Sequence, residues 1–286
     1  MLLRLRVRPA IILFFFGMAR LPAQPPHTEF DIHYAPGPNQ TLDLYLPAGK
    51  GFTTIVYTYG GGWHSGSGKS SAPIAEELAH LGYGCALVSH RLFPPDAFPE
   101  PAEDLAAAFA WVKSTIASRD GDPARIILAG HSSGAHLSLL IATDPRYLLA
   151  HRLTPADIRA VIGLSPPVDL SRRADGRGYG DVLFSGHGAD PFQRDRVLME
   201  AASPIRHVSP GMPPTLLVIG GQDFPMLEGD ARAFARKAEG FGDRVRVIVV
   251  PGEDHLGVAR GMTDTDGPVL AMVQAFIQEE TTQRVR

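Results

Sequence analysis

The stretch that most constrains this chain runs from residue 125 to residue 142. Arg125-Ile126-Ile127-Leu128-Ala129 is a short apolar, β-branched run, Gly130-His131-Ser132-Ser133-Gly134 follows directly, and the helix-forming segment from Ala135 to Ala142 comes next. A strand that turns abruptly into a helix through G-x-S-x-G is a nucleophile elbow, in which the serine occupies the apex of a strained turn with its hydroxyl lifted clear of the backbone. The glycines are needed because a Cβ at either position would collide with the neighbouring strand and helix. G-x-S-x-G on its own is a common pattern, so the reading rests on the strand before it and the helix after it.

The rest of the chain repeats the same rhythm. Apolar runs at Thr41–Leu46, 53–58, 85–89, 159–164, 215–219 and Val245–Val250 read as strands, and helical spacing of apolar residues appears over 71–81, 101–118, 226–239 and 268–279. Continuous apolar strands that alternate with helices predict a mainly parallel sheet covered on both faces. In such a sheet the chemistry belongs on loops at the C-terminal strand ends. Residues 169–203, rich in Gly, Arg and Asp, break the rhythm and are expected to form a small cap or lid insertion. No internal repeat or second domain is visible, so residues 24–286 are expected to form one domain.

Composition excludes several classes. With 44% hydrophobic and 20% charged residues in 286, the chain can bury one sizeable core. A net charge of −3 gives no electrostatic case for nucleic acid. The lone Cys85 sits in an apolar run and reads as a buried, inert thiol. Residues 1–23 differ from the rest: Arg4, Arg6 and Arg8 precede a nine-residue apolar run, Ala10 to Met18, and a Leu21-Pro22-Ala23 segment. That run is shorter than the about 20 residues that span a bilayer, and basic, apolar, then small is the layout of a secretory signal peptide cleaved after Ala23. The mature chain is therefore expected to be exported, with no stable membrane span after cleavage.

A serine hydroxyl needs a base, and the base needs a carboxylate to orient it and stabilise its charged form. Asp223, in Gly220-Gly221-Gln222-Asp223, follows the strand at 215–219, and His255, in Pro251-Gly252-Glu253-Asp254-His255, follows the strand Val245–Val250. Ser132, Asp223 and His255 thus occur in the order an elbow fold uses. Glu253 and Asp254 are the alternative acids, ranked lower because a side chain in a short loop rarely curls back to an adjacent imidazole. Tyr59-Gly60-Gly61-Gly62-Trp63, after the strand at 53–58, offers backbone N–H groups to a developing oxyanion, joined by the N–H of Ser133. No G-K-[ST] or G-x-G-x-x-G makes this a nucleotide loop. His64, His90, His131 and His136 lack a zinc-binding spacing, so neither a metal nor a cofactor is expected.

Tyr59 to Trp63, His90-Arg91-Leu92, Phe98-Pro99 with Asp104, Gly121-Asp122-Pro123, and Gly130-His131-Ser132-Ser133-Gly134-Ala135-His136-Leu137 resemble successive blocks of the α/β-hydrolase esterases. The nearest branch resembles the hormone-sensitive-lipase-like carboxylesterases, whose relatives include bacterial feruloyl and acetyl-xylan esterases and kynurenine formamidases. The resemblance covers about residues 40–280. It implies an α/β-hydrolase fold, with Ser132 as nucleophile, His255 as base, Asp223 as acid and the N–H groups of Gly61, Gly62 and Ser133 as the oxyanion hole. Tyr59 and Trp63, at the two ends of the glycine loop, are expected to bind substrate. The family usually carries His at the position of Tyr59 and often Tyr at that of His90.

The expected activity is hydrolysis of a small-molecule carboxylic ester, short-chain or aryl, through an acyl-enzyme on Ser132, with Trp63, Phe93, Phe98 and Phe184 near the pocket. An amide hydrolase such as an arylformamidase would use the same triad. A non-catalytic binding module on this fold would have lost the serine or the histidine. The last strand and helix present an edge at which two copies could pair as a homodimer.

Overall fold

A computed structural model of the chain describes residues 26–171, 173–174, 177–178, 191–192 and 195–282. The expected signal peptide, and Phe184 in the insertion, lie outside the described residues. The strands are β1 (His27–His33), β2 (Thr41–Leu46), β3 (Phe52–Thr58), β4 (Gly84–Val88), β5 (Gly121–His131), β6 (Ala160–Leu164), the two-residue β7 (Arg173–Ala174) and β8 (Arg177–Gly178), β9 (Thr215–Gly220) and β10 (Val245–Val250). The helices are α1 (Ala72–His80), α2 (Glu100–Thr115), α3 (Ser133–Thr143), α4 (Pro145–Leu149), α5 (Arg196–Ala201), α6 (Pro204–His207), α7 (Pro225–Glu239), α8 (His255–Arg260) and α9 (Pro268–Thr282).

Eight strands form one sheet in the order β1-β2-β4-β3-β5-β6-β9-β10, while β7 and β8 pair separately as an antiparallel ladder. From β4 to β10 every neighbouring pair is parallel, and β2 alone is reversed, pairing antiparallel with both β1 and β4. Side chains on one strand alternate between two cores. Val56, Leu128 and Leu217 pack with α2, α3 and α7, whereas Ile55, Ile127 and Val218 pack with α1 and α9. Both faces of a central strand are dry, which is why these strands read as unbroken apolar runs. Burying each such side chain contributes about 1.5–3 kcal/mol, so a polar residue is disfavoured on either face. Cys85 is fully buried, and burial pushes its thiol well above the ordinary range.

Helix α3 is buried along its whole length. It is wedged between the sheet and α2, so it has no polar face, and its sequence shows no amphipathic stripe. β1 escapes the sequence pattern for the opposite reason. Its residues, His-Thr-Glu-Phe-Asp-Ile-His, are mostly partly or fully exposed at the sheet edge, and its pairing with β2 is interrupted between Glu29 and Ile32. Of the expected insertion at 169–203, β7, β8 and α5 are described. Its two ends are tied together by the N–H of Leu170 on Ser203 Oγ (2.8 Å) and the N–H of Ile205 on the Val168 carbonyl (3.0 Å).

The close approach of α3 to β3 yields a prediction. Gly→Ala inside a helix normally stabilises by about 1 kcal/mol, but a Cβ on Gly134 would run into the carbonyl oxygens of Thr58 and Tyr59. Gly134→Ala should therefore destabilise the fold by about 1–3 kcal/mol, read as a lower urea midpoint. A variant as stable as the parent would show that the helix can retreat.

Candidate active site

The site is built where β5, β9 and β10 end. At the end of β5, Ser132 adopts φ 52° and ψ −121°, a left-sided conformation that a residue with a Cβ holds only when its surroundings enforce it. Two features enforce it. Its N–H donates to the Leu164 carbonyl at the end of β6 (2.8 Å), and the flanking glycines admit the tight crossing, since a Cβ on Gly130 would stand 2.7 Å from the Thr58 oxygen. The turn leaves Ser132 Oγ 2.9 Å from His255 Nε2.

His255 Nδ1 lies 2.7 Å from Asp223 Oδ1. Asp223 is accept-only as a carboxylate, so the shared proton is assigned to Nδ1, and Nε2 presents its lone pair to the serine hydroxyl. The loops that carry acid and base are laced together. The N–H of Gly221 donates to the Val250 carbonyl (2.8 Å) and that of Gln222 to the Glu253 carbonyl (2.9 Å). A Cβ on Gly220 would press on the backbone of Glu253 and Asp254. Burial by itself would raise the Asp223 carboxyl. Hydrogen bonds from His255 and from Ser165 Oγ (2.5 Å), the charge of His255 and the N–H of Phe224 (2.8 Å) outweigh it and hold the carboxyl below the ordinary range. Asp223 stays ionised and can stabilise an imidazolium.

The rival acids have other work. Asp254 caps α8, accepting from the Gly257 N–H (2.6 Å) and from Arg260 (3.2 Å), and it is Asp223 rather than Glu253 whose carboxylate meets the His255 ring. The fold brings in two residues to which sequence reading gave no role. Ser165, just past β6, buttresses Asp223, and the only signal for it is a small polar residue at a strand end before Pro166-Pro167. His131 is buried, and its Nε2 donates to the His255 backbone carbonyl (2.8 Å) while its ring tilts against the His255 ring at 4.8 Å. Phe224 flanks the same imidazole at 4.7 Å.

The glycine loop passes directly beside the elbow, because a Cβ on Gly60 would meet His131 Nδ1 at 2.6 Å and Ser132 Cβ at 3.1 Å. The Gly61 carbonyl accepts from the N–H groups of His64 (3.1 Å) and Ser65 (3.2 Å). In a trans peptide the N–H points away from its carbonyl, so the Gly62 N–H faces out of the loop. Among the described residues no hydrogen bond engages the N–H groups of Gly61 or Gly62, and that of Ser133, in the first turn of α3, lacks an intrahelical acceptor. Such donors beside a serine hydroxyl can bind negative charge developing on a carbonyl oxygen.

Tyr59 and Trp63, expected to contact substrate, are both buried. Each is only 3% exposed. Tyr59 stacks flat on His90 (4.9 Å between centroids, 5° between planes), and Trp63 packs edge-on against His136 and Phe192. Both rings support the glycine loop and leave little surface for a substrate. The two positions that depart from the resembled family, 59 and 90, are thus one contact. Of the aromatics expected around the pocket, Phe93 packs on His64 and Phe98 on Phe192.

The BD-FAE family model matches residues 42–236 of the 286. Among curated proteins, the chain is 28% identical to the esterase LipQ of Mycobacterium tuberculosis, over 77% of this chain and 56% of LipQ. It is 25% identical to the isoprenylcysteine alpha-carbonyl methylesterase ICME of Arabidopsis thaliana, over 78% of this chain and 55% of that protein. The chain spans about half the length of the curated relatives it matches first. Among solved structures, a truncated carbohydrate esterase from gut microbiota superposes with a TM-score of 0.76 at 22% identity, over 92% of this chain and 99% of that one. A likeness at that identity speaks to the fold, and the fold it shares is the α/β-hydrolase fold.

The buried histidines make stability pH-dependent. Burial, reinforced at His131 by the neighbouring His255, depresses both His131 and His136 to about 4. Between about pH 6.5, where an unfolded histidine titrates, and about pH 4, the unfolded chain binds protons that the native state refuses, so stability falls with pH by roughly 3 kcal/mol per histidine across that window. Urea midpoints measured at intervals from pH 7.5 to 4.5 should drop, and His131→Gln should flatten the slope. An unchanged slope in that variant would show that His131 titrates normally.

Proposed function

The chain belongs to the BD-FAE family of α/β-hydrolase esterases, and from that premise we propose that it is a serine hydrolase of carboxylic esters. The observation that carries the reading is the continuous hydrogen-bonded chain Ser132 Oγ–His255–Asp223, at 2.9 and 2.7 Å, at the apex of the elbow. The names of LipQ and ICME, both esterases, support it.

In the proposed reaction Ser132 Oγ attacks the ester carbonyl as its proton passes to His255 Nε2. Asp223, held ionised, stabilises the imidazolium and keeps its tautomer. The N–H groups of Gly61, Gly62 and Ser133 receive the oxyanion, and each such donor supplies roughly 3 kcal/mol of transition-state stabilisation. His255 then protonates the departing alkoxide, and a water activated by the same imidazole cleaves the acyl-enzyme. The step needs no metal and no cofactor. Short acyl or aryl esters suit a base lined by Phe224. Export after removal of residues 1–23 is part of the proposal, resting on the composition of that leader. A secreted chain beginning at Gln24 by intact mass would support it, and retention of the leader would refute it.

Ser132→Ala should reduce hydrolysis of p-nitrophenyl acetate and butyrate by roughly 10⁴-fold or more with unchanged thermal unfolding. Retained turnover would sink the assignment. Asp223→Asn should be severely impaired. Asp254→Asn should leave the α8 cap nearly intact, since Asn caps about as well as Asp, so a comparable loss of turnover there would relocate the acid. A formyl-anilide run beside the ester panel distinguishes an amidase.

A further inference from the structure

Trp63 follows directly on Gly61-Gly62, and its backbone is left-handed at φ 64°. For a residue of that bulk the conformation is strained and persists only where several contacts over-determine it. The Trp63 carbonyl accepts from the Phe93 N–H (2.9 Å). Its indole Nε1–H donates to His136 Nδ1 (3.3 Å), and its ring is gripped edge-on by His136 (5.0 Å) and Phe192 (5.1 Å). His136 is completely buried in the first turn of α3, four residues past the nucleophile. Its Nε2–H donates to the Ala202 carbonyl (2.7 Å), immediately after α5, where the two ends of the insertion are tied. A neutral imidazole can satisfy both contacts only as the Nε2–H tautomer, donating to Ala202 and accepting from Trp63. The Ala202 bond therefore fixes the ring orientation that the indole requires.

We propose that His136 is a positioning residue for the glycine loop. Anchored on Ala202, it holds Trp63 in its left-handed conformation and so keeps the Gly61 and Gly62 N–H groups oriented for the oxyanion. The inference rests on the reading of that loop as the oxyanion-binding element. It gives a role to the second histidine of Gly130-His131-Ser132-Ser133-Gly134-Ala135-His136, and it couples the neck of the insertion to the loop. Since the oxyanion exists only after attack, misplaced donors lower kcat and leave KM largely unmoved.

The test compares the full chain with Trp63→Phe, His136→Gln, His136→Phe and the Trp63→Phe/His136→Phe double variant, using p-nitrophenyl acetate kinetics and the indole region of ¹H–¹⁵N correlation spectra. The chain has two tryptophans, so Trp63→Phe assigns both indole resonances. Trp63→Phe and His136→Phe should each lower kcat roughly tenfold or more, with KM within about twofold. His136→Gln, whose amide can accept from the indole and donate to Ala202, should recover most of the loss. The double variant should be no worse than the worse single, as expected when both act through one bond. In His136→Phe the Trp63 indole proton should shift and exchange faster while that of Trp111 stays. Wild-type kcat in Trp63→Phe, multiplicative losses in the double variant, or an unmoved Trp63 resonance would overturn the proposal. If His136→Phe does not fold, Trp63→Phe and His136→Gln still decide it. Absent turnover in the parent protein would refute the esterase reading instead, and the indole resonances would still test the contact.

Discussion

Helix α3 crosses strand β3 so closely that Gly134 lies against the carbonyl oxygens of Thr58 and Tyr59, with Gly130 on the other side of the same contact. Most of the site follows from that approach. It bends the chain hard enough to put Ser132 at positive φ. It sets the N-terminus of a buried helix, with its unpaired Ser133 N–H, beside the nucleophile. It also brings the start of the glycine loop against Ser132, because the strand that the helix touches is the strand from which the loop departs. A side chain larger than hydrogen at Gly134 would separate all three at once.

Three histidines surround the nucleophile, and burial sorts them. His131 and His136 are enclosed, and burial keeps both rings neutral near pH 7 even though each donates one ring N–H to a backbone carbonyl. Neither competes for the serine proton, so both act through geometry, His131 on the backbone of the base and His136 on the glycine loop. His255 has a carboxylate on one nitrogen and a hydroxyl on the other, the geometry that the proposed proton transfer requires. In the proposed reaction His255 is the histidine placed to take the serine proton, because apolar packing encloses the other two.

Much of the fold was legible because central strands buried on both faces must be continuously apolar, and β3, β5 and β9 are. The positions of Ser132, Asp223 and His255 were legible because each follows an apolar parallel strand, central for the first two and at the sheet edge for His255. What escaped has physical reasons. β1 is a half-exposed edge strand with no apolar run. α8 starts at His255 itself, and its signal, Asp254 as cap, was read as a possible acid. Ser165 matters only through a bond to a residue 58 positions away. Nothing local in the sequence shows that the Tyr59 ring stacks on His90 or that the Trp63 ring packs on His136.

The chain by itself determined the inventory and its order: a serine at a glycine-flanked turn, then an aspartate, then a histidine, each after an apolar parallel strand, with a glycine loop upstream. Only the tertiary structure decided the pairings. Ser132 and His255 are 123 positions apart, and His255 and Asp223 are 32. A hydrogen bond depends on tenths of an ångström and on direction, and those are set by how the sheet and its laced loops pack rather than by which residues are neighbours along the chain.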